Sequence, residues 1–164
     1  MKSVLMGAGL AGLLVIGGAA QTASAAMDQE ALNAAAKVCV SDTGGMTKAV
    51  EACTTVLDNT NLSPQGKASV LFFRGSSLQE LGRNAEAIAD LDRAIGIYET
   101  AADKATWSDD VLAKMASSYF FRAQAKEVLQ RCDEAKLDYK KAANTAVEIS
   151  KRKDYERAGR AACS

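Results

Sequence analysis

LFFRGSSLQELGRNAEAIADLDRA, residues 71–94, decides the fold. Leu71, Gly75 and Leu78 stand three and four residues apart, and so do Ala87, Leu91 and Ala94. That spacing puts each set on one face of a helix. Gly82 lies between the two sets and supplies a turn. Small residues therefore stand where two antiparallel helices touch, with large apolar ones filling the gap. A single hairpin of this kind cannot bury its apolar stripe alone, so the pattern demands neighbours.

The neighbours are present. Leu71-Phe72-Phe73-Arg74-Gly75 returns as Tyr119-Phe120-Phe121-Arg122-Ala123, and Ala135, Tyr139 and Ala142 follow at the offsets of Ala87, Leu91 and Ala94. Lys126 and Gln130 stand where Leu78 and Gly82 stood, so the second copy is weaker. Gly75 and Ala123 are 48 residues apart. Lengthening the second helix of one hairpin and the first of the next would absorb the excess, giving a long antiparallel pair. Upstream, Ala49, Cys53 and Val56 fit the second half of a further unit.

These offsets resemble the tetratricopeptide repeat, W-x2-L-G-x2-Y followed by A-x3-F and P over about 34 residues. Here Leu71 replaces Trp, Arg74 replaces an apolar residue and Glu99 replaces the closing Pro. The resemblance covers two clear units and one partial one, residues 46–147. It implies an all-α, short α-solenoid of about three hairpins with a C-terminal capping helix. It also implies a binding scaffold rather than a catalyst. First helices would line a concave groove, with Phe72, Ser76 and Gln79 of one and Phe120, Gln124 and Glu127 of the next facing a peptide or partner helix. Adjacent residues on a helix point about 100° apart, so one phenylalanine of each pair is expected in the core. Some members of the family grip a C-terminal carboxylate with Lys and Asn. Phe, Ser and Gln hold those places here, so that mode is not expected. Arg74 and Arg122 are expected to snorkel or to pair with carboxylates such as Asp90 or Asp138.

The remaining helices follow from local signals. The mature chain holds one proline, Pro64, and no alternating strand pattern competes. We expect helices over about 27–40, 46–58, 63–81, 84–104, 108–130 and 133–150, and a capping helix within 151–162. Ser63 before Pro64, Asn84 and Ser108 are the expected caps.

Residues 1–25 read as a secretory signal peptide. Lys2 is its only charge, an apolar run extends from Val4 to Ala20, and Ala23-Ser24-Ala25 offers a cleavage site. A membrane anchor needs about 20 apolar residues; this run is shorter and carries five glycines. Cleavage near Ala25 would leave residues 26–164 as one helical-repeat domain, periplasmic or secreted. Four cysteines in such a chain imply disulfides. Of the three possible pairings, Cys39–Cys53 would tie two helices across a short loop. Cys132–Cys163 would tie a turn to the chain end if the last segment folds back. No C-x-x-C pair is present, which argues against redox catalysis and zinc. A C-x13-C pair followed by an Arg-Gly repeat also resembles small exported repeat proteins of Gram-negative bacteria.

Charge and composition narrow the function further. Basic and acidic residues balance at 20 each, which argues against nucleic acid as partner. The balance is uneven: residues 122–164 carry 11 basic and 7 acidic side chains, net +4. The cluster Lys151, Arg152, Lys153, Arg157 and Arg160 reads as a solvated helix, or as contact with an acidic partner or an anionic membrane surface. No histidine exists, so imidazole chemistry is out of reach. No phosphate loop or nucleophile motif appears. We expect no enzyme activity, no metal and no cofactor, and a protein or peptide partner in the cell envelope. A second expectation is self-association through the long central hairpin near Tyr98 and Trp107.

Overall fold

A computed structural model describes residues 28–41, 43–101 and 106–164. The expected signal peptide and its cleavage site lie outside the described residues. Seven helices, and no strands, occur among the described residues: α1 Gln29–Ser41, α2 Met46–Asn59, α3 Pro64–Glu80, α4 Asn84–Thr100, α5 Asp109–Val128, α6 Cys132–Thr145 and α7 Ile149–Ala161. Each packs against the next, and α3 also packs against α5, the first helix of the following hairpin. The architecture is an all-α helical-repeat solenoid. Among the described residues no helix is long and apolar enough to cross a membrane.

Local chemistry explains the helix ends. The Ser63 side chain accepts from the Gly66 N–H at 3.1 Å, and Pro64 occupies the first turn. Ser108 accepts from the Val111 N–H in the same way. Helix α3 ends in a left-handed turn at Gly82 (φ 74°), where the Gly82 and Arg83 N–H groups return to the Gln79 and Leu78 carbonyls. Helix α5 ends identically at Gln130 (φ 58°), with Gln130 and Arg131 bonding to Glu127 and Lys126. A glutamine there accepts a backbone cost that glycine avoids.

Asn84 departs from expectation. It is the first residue of α4 rather than its cap; it is buried, donates to the Gly82 carbonyl, and leaves its Oδ1 without a partner. At the start of α4 the exposed Arg83 guanidinium lies on both Glu86 oxygens, one turn in.

The core follows the repeat. Leu71, Leu78, Ala87, Leu91 and Ala94 are buried together between α3 and α4. A methyl group at Gly75 would lie 2.7 Å from Leu91 Cγ, so only glycine lets the two helices approach this closely. In the α5–α6 hairpin Ala123 takes that place beside Ala135 and Tyr139.

Two expectations about length are corrected. Helix α4 stops at Thr100 and is no longer than α3, while α5 takes 20 residues, so only one of the two helices is lengthened and no long projecting pair forms. The helix expected over 133–150 stops at Thr145; Ala146 turns extended (ψ 124°), and α7 folds back onto α6. Tyr155, Gly159 and Ala162 of α7 repeat the offsets of Leu71, Gly75 and Leu78. Helix α7 is thus the first half of a further unit. Tyr155 stacks on Phe120 at 4.8 Å, and Gly159 admits Tyr139, whose Cβ would lie 3.0 Å from any added methyl.

Both disulfides are present, Cys39–Cys53 across the first hairpin and Cys132–Cys163 across the last. They seal the two ends of the stack and point to an oxidising compartment.

Candidate functional site

The motif Phe-Phe-Arg-small serves two jobs, and its arginine serves the inner one. Arg74 Nε and Nη2 grip Asp90 Oδ2 and Oδ1 at 2.6 and 2.8 Å, while Nη1 donates to Thr54 Oγ1 at 3.1 Å. The guanidinium therefore joins α3 to its own partner helix α4 and to α2 of the preceding hairpin. Forty-eight residues later the device recurs. Arg122 grips Asp138 at 2.8 and 2.6 Å and reaches back to Asp92 on α4 at 2.6 Å. Bidentate pairing of this kind fixes geometry as well as charge.

The electrostatics match the contacts. Hydrogen bonding to Asp90 holds the Arg74 guanidinium above its usual range, against its own burial. Burial pulls hardest against the charge on Arg122, yet the bonds to Asp138 and then Asp92 still hold it raised. The second copy adds Lys126, buried where Leu78 stood, with its ammonium 2.8 Å from Asp138 and 3.5 Å from Glu134. Arg131 binds both Glu134 oxygens as Arg83 binds Glu86, and that hydrogen bond lowers the Glu134 carboxyl to about 2.

The outer job falls to the first-helix faces. The Phe72 ring lies 6.1 Å from that of Phe121, which sets α3 and α5 side by side. Along this face the expected groove residues fare differently. Phe72 is only 8% exposed and packs on Phe73 at 5.0 Å, so it belongs to the core instead of an open groove. The two first helices approach closely enough to bury it. Phe120 is half-buried, flanked by Phe121, Tyr139 and Tyr155. Ser76 is half-buried and donates to the Phe73 carbonyl at 3.0 Å. Gln79 and Gln124 are half-buried, and neither amide finds a hydrogen-bond partner among the described residues. Glu127 is committed within the fold: it accepts from the Tyr139 hydroxyl at 2.9 Å and from the Cys163 N–H at 3.0 Å. It anchors the end of α7 beside the second disulfide.

Tyr98, one of the two residues expected as a self-association contact, is spent internally, whereas Trp107 is half-buried. Tyr98 is 1% exposed, and Trp107 stands edge-on to it at 5.7 Å. The carboxylate of Glu99, where the repeat pattern has proline, accepts from Tyr119 and Lys141, and it is lowered chiefly by the Tyr119 bond. Burial, followed by the bond to Glu99, raises Tyr119; burial and Glu127 do the same for Tyr139. Sequence reasoning missed the Glu99–Tyr119–Lys141 bridge between α4, α5 and α6. Its only signal was the loss of proline at Glu99.

The family model described as tetratricopeptide repeat matches residues 68–100, which span α3 and α4. Repeats of that family generally mediate protein–protein interaction. A comparison with curated proteins finds no match to the chain.

Proposed function

We propose that this protein is a non-catalytic interaction module of the cell envelope, exported behind residues 1–25 and binding a peptide or helix of a partner protein along the faces of α3 and α5. One observation carries the reading. Gln79 and Gln124 present two amides without internal partners on adjacent first helices, beside the half-buried ring of Phe120 and the hydroxyl of Ser76. An amide can both donate and accept, so the pair suits the backbone of a bound segment, while the aromatic edge suits an apolar side chain. The clamps of Arg74 and Arg122 keep the two helices in register, so little ordering is lost on binding. The two disulfides are consistent with an oxidising envelope compartment.

The test uses obstruction. Ser76→Arg and Gln124→Arg place bulk on half-exposed positions and should leave the helical signal and melting midpoint intact. Crosslinking in the native envelope, read by quantitative mass spectrometry, should then lose the proteins captured by the unmodified chain. Identical capture by the folded double variant would refute the groove. A purified exported protein beginning at Met1 would refute the cleavage.

A further inference from the structure

We propose that the cleft between α6 and α7 is a binding site for the phosphate of an anionic phospholipid headgroup, independent of the first-helix face. The cleft is about 340 Å³. Lys136, Lys140 and Asn144 line it from one α6 face at successive four-residue steps, and Arg160 lines it from α7. Its walls include Ala143 and Gly159, so small side chains leave room for a group to descend between the cations.

Grouping sets this place apart. The cations between the hairpins, Arg74, Arg122 and Lys126, are all in ion pairs, and the unpaired Lys37, Lys48 and Lys67 lie far apart in the sequence. Lys136, Lys140 and Arg160 make none among the described residues, although Glu156 lines the same cleft. Lys136, Lys140 and Arg160 are exposed and line one cleft from two helices against one carboxylate, so an anion seated there would offset their mutual repulsion. A phosphate offers several acceptor oxygens, which suit two ammonium groups and a guanidinium together.

A lipid headgroup fits better than an acidic protein segment for two reasons. The positive field does not stop at the cleft: Lys151, Arg152 and Lys153 are exposed on α7, and Arg157 is exposed beside them in a pair with Asp154. A field that broad matches a surface of many charges. Leu137 is 56% exposed between Lys136 and Lys140. An exposed apolar side chain next to these lysines in the sequence suits the boundary between headgroups and acyl chains, and it has no use against a carboxylate-rich strand.

Sedimentation with vesicles tests this. Phosphatidylglycerol–phosphatidylcholine vesicles are compared with phosphatidylcholine alone, and the difference removes any binding by the apolar first 25 residues. The Lys136→Gln, Lys140→Gln, Arg160→Gln triple variant touches no ion pair and should keep its circular dichroism. Each substitution is expected to lower the anionic-vesicle partition about fivefold, and all three about a hundredfold. Leu137→Gln should lower it with charge unchanged. Equal partition of the triple variant and the unmodified chain would overturn the site. Binding of inorganic phosphate without vesicle binding would overturn the lipid assignment, and so would capture of a poly-glutamate peptide in preference to the vesicles.

Discussion

Replacing Asp90 by asparagine removes one charge and almost no volume, which makes it a sharp probe of the repeated clamp. Asp90 is 7% exposed and Arg74 is 18% exposed at the side chain. In the variant, the amide oxygen still accepts one Arg74 N–H, the amide NH2 faces the other as donor against donor, and the bond to the Thr54 hydroxyl at 3.1 Å remains. Two unit charges about 4 Å apart interact by about 4 kcal/mol at an effective dielectric of about 20. Breaking one partner of a buried pair typically costs about 3–5 kcal/mol. The residual exposure of Arg74 and its bond to Thr54 favour the lower end, about 3 kcal/mol. For a chain of this size that corresponds to roughly 10 °C in melting midpoint. Urea unfolding followed by circular dichroism, with disulfides intact, measures the loss; the slope should not change. The double variant Arg74→Met, Asp90→Leu removes both charges and should recover most of the stability, because an apolar pair of similar size has no desolvation to offset. Arg83→Gln breaks a pair that is exposed at both ends, and should leave the midpoint where it was. If Asp90→Asn loses less than about 1 kcal/mol, or the double variant is worse than either single one, the clamp does not hold the hairpins as argued.

Three further outcomes follow from the same geometry. Gln130→Gly should raise stability by about 0.5–1 kcal/mol in urea unfolding, because relief of the left-handed backbone cost exceeds the added freedom of the unfolded chain. Removing Cys132–Cys163 with a pair of serines should cost about 3–4 kcal/mol for its 31-residue separation. Hydrogen exchange should then show α7 losing protection while α3 and α4 keep theirs. The third outcome concerns pH. Burial raises Tyr98, Tyr119 and Tyr139 above the ordinary phenol value, so the fold holds protons that the unfolded chain releases above about pH 10. Stability is therefore complete below that pH and declines as the solution is made more alkaline; ultraviolet absorbance should show these phenols ionising together with loss of helix. Early, reversible ionisation without unfolding would contradict the burial.

The sequence was most legible where packing dictates residue size. Gly75 facing Leu91, and Ala123 facing Tyr139, are consequences of helix contact, and the three-and-four spacing announces them. Arg74 and Arg122 could be tied to Asp90 and Asp138 because each pair lies 16 residues apart in a known hairpin geometry. What lay hidden was decided by long-range contact. Nothing between Ala146 and Glu148 breaks a helix by composition. The chain bends there because α7 gains Phe120, Tyr139 and the bridge to Cys132 by folding back. Tyr155-x3-Gly159-x2-Ala162 did carry the repeat offsets, but its charged surroundings masked them. The burial of Phe72 was undecidable from spacing, since either phenylalanine of the pair could face inward until Phe121 was placed beside it. For the candidate groove, the glutamines were legible as a row, whereas the engagement of Glu127 depended on the position of the far chain end.

The two sulfur bridges also set how the molecule would answer a pull. Tension applied at its two ends enters at Cys39 and leaves at Cys163, and the bridges carry it directly across to Cys53 and Cys132. Residues 40–52 and 133–162 bear no load. Only the span between the bridges, together with the short lead into Cys39, is free to lengthen, and that span is the one threaded by the Arg74 and Arg122 clamps. A tether built this way lengthens in its middle and in the lead into Cys39, while residues 40–52 and 133–162 stay closed within their loops.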